Sequence, residues 1–359
     1  MEKKLSYLLL VVVFFALTGC NGANTNRDLN IKKNGDLTFT EVECDIKFQG
    51  REILFTPDIK QITGTMGEDK LIGYIDSEYS RSLYLFDLLK NQVKKIATPK
   101  SGFKILSAVT TNNSIIWTEC NKKHWYIYKK NLKDGTQQEL DRGKYFVGGG
   151  AGYPKLAITN RKLFFNTSIP GEKMISQIIQ LNLDSEDKTI VHEIKGNEIY
   201  LGTPDAHNGN VVWHLGEWTK RMKSEVYLYE IKTKKLSKIS GNQPAISPDI
   251  WKNYVVWTTY SPNLPELKNV ELYNIENKKT KKITHYEEDS HMEAWGPSIS
   301  ENIVAWKINQ VKNLNVYSVN LDKIIEVKAQ TYFADVFGCW LVWLPSPDSE
   351  KEGVYLCKV

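Results

Sequence analysis

The sequence predicts an all-β fold, a β-propeller of four-stranded antiparallel blades, seven in number, and three observations predict it. One short apolar phrase ending in an aromatic recurs along the chain: LIGY at 71–74, SIIW at 114–117, KLFF at 162–165, NVVW at 210–213, NYVVW at 253–257, NIVAW at 302–306 and WLVW at 340–343. Its anchors, Tyr74, Trp117, Phe165, Trp213, Trp257, Trp306 and Trp343, are spaced by 37 to 49 residues, the period of a four-stranded propeller blade. A second phrase follows most anchors, as in LYLFDL (83–88), VYLYEI (226–231) and VYLCKV (354–359). Both phrases are apolar at nearly every position. A sheet with one wet face alternates with period two, so continuous apolarity means that both faces are covered, as in stacked blades.

The elements follow in chain order. Residues 1–20 read as a processing signal: Lys3 and Lys4 precede an apolar run of ten, Leu8 to Leu17. That run is too short to span a membrane, which takes about 20 apolar residues. It ends in Leu17-Thr18-Gly19-Cys20, which resembles the bacterial lipobox, where small residues admit the peptidase and the cysteine thiol accepts diacylglycerol. The resemblance implies lipidation at Cys20 and a protein anchored on the extracytoplasmic face of the cell membrane. Residues 21–35 are polar, with Leu29 and Ile31 their only large apolar side chains, and read as a flexible tether. Residues 36–359 read as a single propeller domain. A modular ring suits that length, because one simple core stops growing at about 250–300 residues.

Within each unit a short stretch such as PAIS (244–247) or PSIS (297–300) gives strand a, the two apolar phrases give strands b and c, and a polar turn leads into strand d. Strand d is lysine-rich, as in NQVKKIA, TKKLSKIS and NKKTKKIT. Charge on an outermost strand discourages edge-to-edge pairing. The last unit stops at strand c, so an N-terminal strand is expected to complete it. Asp58 to Thr63 (DIKQIT) fits that place, with Ile62 where other units have Ile96, Ile239 and Ile283, and 37–56 then forms an extra hairpin. Cys44, Cys120, Cys339 and Cys357 show no CxxC spacing, which excludes a zinc ribbon or a thioredoxin-like site. They are expected to be free buried thiols. A Cys44–Cys357 staple would require 38–46 to be the closing strand instead.

The composite unit, PxIS followed by IVW, VYLYNI and KKIT, resembles the TolB-like propeller repeats of bacterial and archaeal envelope proteins. Trp213, Trp257 and Trp306 carry the likeness best, and Ser247-Pro248-Asp249 echoes the SPDG turn of that family. The resemblance covers residues 70–359 and implies the fold while saying little of function. No α/β domain precedes the ring as in TolB itself, and no GxSxG hydrolase segment follows as in prolyl peptidases. WD, Asp-box and YWTD signatures are missing, and a Gly-Gly run occurs once, at 148–150.

The chain carries 47 basic and 42 acidic side chains, a net charge of +5, and this near balance argues against a nucleic-acid binder. Candidate site residues fall on the long loops of one face, where rigid rings place function. HYEEDSHMEAWGP (285–297) gathers His285, His291, three glutamates and Trp295; imidazole beside carboxylate suits metal binding or proton transfer, and an acidic solvated loop is the simpler reading. DRGKYFVGGGAGYP (141–154) could form an anion nest and reads more simply as an irregular turn. HLGEWTKRMK (214–223) places Glu217 beside Trp218, a pairing that could stack a sugar ring or anchor a protein partner unless the indole folds back onto its blade. No catalytic set, metal site or cofactor motif can be assigned. The expectation is therefore a surface lipoprotein that binds a protein or carbohydrate ligand through Trp218, Trp295, His285, His291 and Glu217. The competing expectation, implied by the resemblance, is a propeller enzyme of the metal-dependent polysaccharide lyase or lactonase type.

Replacing Cys20 with Ala should abolish lipid labelling and leave unprocessed precursor. Metabolic labelling with a fatty acid checks this, and normally processed, still labelled protein from the variant would refute it.

Overall fold

The computed structural model describes residues 29–30, 38–43, 51–55, 59–76, 81–90, 92–145, 152–217, 223–261, 267–287, 293–309, 312–331, 333–344 and 354–358. The signal peptide, Cys20, Cys44, Trp218 and His291 lie outside them. Among the described residues there is no helix long and apolar enough to cross a membrane.

Seven antiparallel sheets form the ring. Blade one consists of Ile59–Thr65, Lys70–Asp76, Arg81–Asp87 and Gln92–Ala97, and blade two of Lys104–Thr110, Ser114–Cys120, His124–Asn131 and Gln137–Lys144. Blade three consists of Leu156–Thr159, Lys162–Ile169, Ile175–Asn182 and Lys188–Lys195. In blade four the inner strand is broken into Ile199–Leu201 and Asp205–His207, ahead of Asn210–Glu217, Glu225–Glu230 and Lys235–Lys238. Blade five is Ala245–Trp251, Tyr254–Tyr260, Lys268–Asn274 and Lys279–Lys282; blade six is Ala294–Ser300, Ile303–Ile308, Lys312–Ser318 and Lys323–Thr331. Blade seven starts with Phe333–Phe337, Trp340–Leu344 and Val354–Lys358. In each case strand a is innermost.

The predicted anchors sit in the second strands and are buried, with Trp117, Trp213 and Trp257 fully so. A buried indole N–H needs an acceptor, and each of these has one at 3.1 Å: Glu119 for Trp117, His192 Nδ1 for Trp213 and Glu271 for Trp257. These tryptophans are core. By contrast the outer strand of blade five, KTKK, is exposed at all four positions, as edge protection requires.

Apolar packing runs between blades. One cluster joins Ile72, Tyr74 and Leu83 of blade one to Ile105, Ile115 and Trp117 of blade two. Equivalent clusters join every following pair, and the last joins Trp340, Val342 and Leu356 of blade seven back to Ile62, Leu71 and Phe86 of blade one. The ring is therefore closed by side chains as well as by backbone.

Backbone closure uses a different strand from the one expected. Arg51–Phe55, not Asp58 to Thr63, completes blade seven, pairing with its third strand in the register Glu52↔Cys357, Ile53↔Leu356, Leu54↔Tyr355 and Phe55↔Val354. Ile59–Thr65 is instead the inner strand of blade one, where Ile62 is 2% exposed. Ile62 resembles the isoleucines of outer strands, but burial between blades one and seven is what its side chain satisfies. The expected hairpin exists in part: Thr38–Glu43 pairs with Arg51–Phe55, and Leu29–Asn30 pairs beyond it, so the sheet of blade seven has six strands. Cys120 and Cys339 are free, whereas Cys357 is disulfide-bonded to a cysteine outside the described residues, which corrects the expectation of free thiols throughout.

Deleting residues 354–359 should remove the strand that joins both chain ends and abolish cooperative unfolding, while Cys357→Ser should leave a single transition at lower denaturant. Urea titration followed by tryptophan fluorescence checks this. A truncated chain that unfolds like the parent would show that closure at blade seven is dispensable.

Candidate functional site

The inner strands surround a central channel with a volume of about 570 Å³, lined by residues of all seven blades. What turns their polar side chains together is a repeated irregularity. Pairing with the second strand shifts register between Ile105 and Ser107, Ile246 and Asp249, and Trp295 and Ser298, and blade four breaks between Leu201 and Asp205. Proline tolerates such sites because it has no ladder N–H to lose, and Pro204, Pro248 and Pro297 occupy three of them. Ser247 and Gly296, each just before its proline, take φ of 52° and 54°. The left-handed region suits glycine and strains serine.

The residue after each irregularity reaches the next blade. Ser107 Oγ accepts the N–H of Leu156 at 3.0 Å, Asp205 Oδ2 that of Ile250 at 2.8 Å, Asp249 Oδ2 that of Ile299 at 2.7 Å, and Ser298 Oγ that of Val336 at 2.9 Å. In blade three the place of Asp205, Asp249 and Ser298, opposite the residue before the anchor, is taken by Ala157, which has no acceptor to offer; Lys155, after Pro154, lies two residues earlier. That junction is tied elsewhere, by Thr159 Oγ1 accepting from Gly209 N and Ser176 Oγ from Leu201 N, both at 2.9 Å.

This belt sets the electrostatics of the channel. Burial first, and then the adjacent Asp205 carboxylate, hold the Asp249 carboxyl well above the usual carboxylate range. Asp335 is raised by burial, against the lowering effect of Lys307. The two lysines that line the channel are Lys155 and Lys307. Lys155 is exposed, but towards the channel interior, and desolvation there followed by repulsion from Lys307 lowers its pKa. Lys307 lies on the strand paired with Trp295, its ammonium 5.3 Å from the Trp295 ring centroid and 4.6 Å from that of Phe333. His214 points from blade four, packed edge-on to Tyr200 at 5.6 Å and so close to Gly202 that a Cβ there would overlap the imidazole. It is 9% exposed, its Nδ1 has no partner, and burial with help from Lys155 pushes its pKa down to about 4. At the opposite end His207 packs against Trp251, their ring centroids 4.1 Å apart and their planes tilted by 38°.

Of the residues singled out in the sequence, Trp295 borders the channel, 42% exposed at its rim. Glu217 ends the second strand of blade four opposite Ile199, and His285 is exposed beyond the outer strand of blade five; neither lines the channel. Trp218 and His291 lie outside the described residues. Lys155, Asp205, His214, Asp249, Lys307 and Asp335 were not anticipated. The recurring Pro-Asp, Pro-Asp and Pro-Ser at 204–205, 248–249 and 297–298 was the available signal for the belt. Among the described residues no three His, Cys, Asp or Glu side chains are placed to hold a metal ion. A separate hollow of about 650 Å³ between blades two and three is lined by Asn and Thr, and its Arg161 is already paired with Asp184.

No family model matches the chain, and no curated protein sequence does. Solved structures match in shape. Oligogalacturonate lyase from Vibrio parahaemolyticus aligns with a TM-score of 0.60 at 13% identity, covering 90% of this chain and 97% of that one. The β-propeller domain of the Trilobed protease from Pyrococcus furiosus gives 0.61 at 11% identity, over 83% and 92%. That domain is described as having an open velcro topology, whereas here an N-terminal strand completes the last blade. TolB from Acinetobacter baumannii aligns at 0.48 and 14%, over 82% and 68%. At these identities the likeness establishes the fold, a seven-bladed β-propeller.

The unfolded His214 imidazole titrates near 6.5 and the folded one at about 4. Its burial therefore contributes stability that is complete above about pH 6.5 and lost as pH falls towards 4, roughly 3 kcal/mol in all. Asp249 and Asp335 act in the opposite direction, since a raised carboxyl costs stability as pH rises. Urea titrations of the parent and His214→Gln at about pH 7 and about pH 4.5 isolate the histidine. Equal acid losses in the two proteins would refute this assignment.

Proposed function

We propose that the chain is a lipid-anchored extracytoplasmic binding protein that takes a saccharide at the channel mouth bordered by Trp295. The observation that carries this reading is Trp295 itself: an indole left 42% exposed, on a rigid inner strand, at the rim of the one channel to which all seven blades contribute. An exposed aromatic face beside polar groups suits the apolar face of a sugar ring, with hydroxyls meeting the polar side chains. Lys307 sits over the Trp295 ring and fixes its orientation before any ligand arrives. Support for the anchor is the sequence Leu17-Thr18-Gly19-Cys20 after its apolar run.

A second reading is an enzyme acting on a polysaccharide at the same place. Lys155 and His214 favour it, because burial holds both more readily in their neutral, proton-accepting forms. A metal-dependent version would need donors from outside the described residues.

Trp295→Ala should leave the urea midpoint close to that of the parent and weaken saccharide capture about thirtyfold, the loss of a hot-spot aromatic. A glycan array followed by calorimetry on its best hit measures this. Unchanged affinity in the variant would move the site away from this mouth, and bond cleavage of the captured saccharide would favour the enzyme.

A further inference from the structure

We propose that the channel holds an oxyanion substituent of the saccharide, a carboxylate or a sulfate ester, between Lys155 and Lys307; this rests on the saccharide reading above. Both lysines line the channel, one from blade three and one from blade six. Ion pairs are common elsewhere on the ring, as between Lys268 and Glu293 or Lys281 and Asp322. Among the described residues, however, no carboxylate lies within ion-pair distance of either channel lysine.

The nearby acids are committed otherwise. Asp205 and Asp249 accept the N–H groups of Ile250 and Ile299, and Asp335 Oδ1 accepts that of Val336 at 3.0 Å. Their oxygens hold neighbouring segments in place, and burial favours the neutral form of Asp249 and Asp335. The negative charge available to the lysines is correspondingly small.

Lys307 sits over the Trp295 and Phe333 rings, which orient an ammonium without neutralising it, and its charge is felt by Asp335, which is not within ion-pair distance. Lys155 and Lys307 line the same channel, and like charges placed so repel, which agrees with the lowered pKa of Lys155. Confining like charges in a partly dehydrated space is unfavourable, and an anion between them reverses the sign of that term. A third polar group on this wall is unsatisfied: His214, more than nine-tenths buried, has an Nδ1 without a partner, which a polar group of the ligand would meet. A sugar ring stacked on Trp295 would carry its acidic substituent towards the ammonium that already covers that indole.

The test is calorimetric titration of the full-length protein with three oligosaccharides of equal length: alginate for a carboxylate, sulfated agarose fragments for a sulfate, and cellulose fragments as the neutral probe. At least one acidic probe should bind about tenfold or more tightly than the neutral one, the usual worth of a charge-assisted hydrogen bond. Lys155→Met and Lys307→Met should each erase the margin between acidic and neutral probes while keeping the parent's urea midpoint. Lys307→Arg should retain most of the margin. Equal affinity for acidic and neutral probes, or an acidic preference that survives both methionine variants, would overturn the oxyanion site and leave the saccharide reading standing. Failure of all three probes to bind would overturn both.

Discussion

Every blade of this protein is apolar on both faces, and that single constraint organises the rest. A sheet with one apolar face can end its fold at solvent; a sheet with two cannot. Leu71 and Phe86 need blade seven on one side, while Ile72 and Leu83 need blade two on the other. The same condition repeats at each blade, and the only arrangement with no uncovered face is a closed ring. Closure is thus a demand of burial, and the strand exchanged at blade seven is the means by which backbone hydrogen bonding meets it.

A closed ring forces inner strands to converge, and convergence explains the polar channel. An inner strand has no further strand on its channel side, so its side chains provide the contacts that continue around the ring. Short oxygen-bearing residues, Ser107, Asp205, Asp249 and Ser298, do so by capturing an N–H of the following blade. Structural use of carboxylates has an electrostatic by-product. Burial in this belt favours the neutral forms of Asp249 and Asp335, which leaves less negative charge facing Lys155 and Lys307. On the reading proposed above, ligand binding and ring assembly would be two uses of one circle of residues.

The ring itself was readable because burial on both faces writes a continuous apolar signature, which the tryptophan anchors carry best and Tyr74 and Phe165 more weakly, while six or eight blades stayed open until the pairing of residues 37–63 was known. Strand identity at the closure was less legible. Arg51–Phe55 and Ile59–Thr65 are both short and mixed, and an inner strand differs from an outer one by what it packs against, which a linear sequence does not record. Trp295 could be found because its residue type is conspicuous on a polar segment. Lys155 and Lys307 could not, since they stand more than 150 residues apart and meet only through the curvature of the ring. Pro204-Asp205, Pro248-Asp249 and Pro297-Ser298 were a partial clue to the belt, but Pro154-Lys155 lies two residues out of register with them and Ala157 takes that place.

The six-stranded sheet of blade seven has a further consequence. Its strands run outward from Phe333–Phe337 at the channel to Leu29–Asn30 at the periphery, so the chain joins the ring at its rim rather than at either mouth. An anchor at Cys20 would leave eight residues before that rim, at most about 28 Å when fully extended. Attachment at the circumference lies at neither mouth, so a tether there would block neither end of the bore.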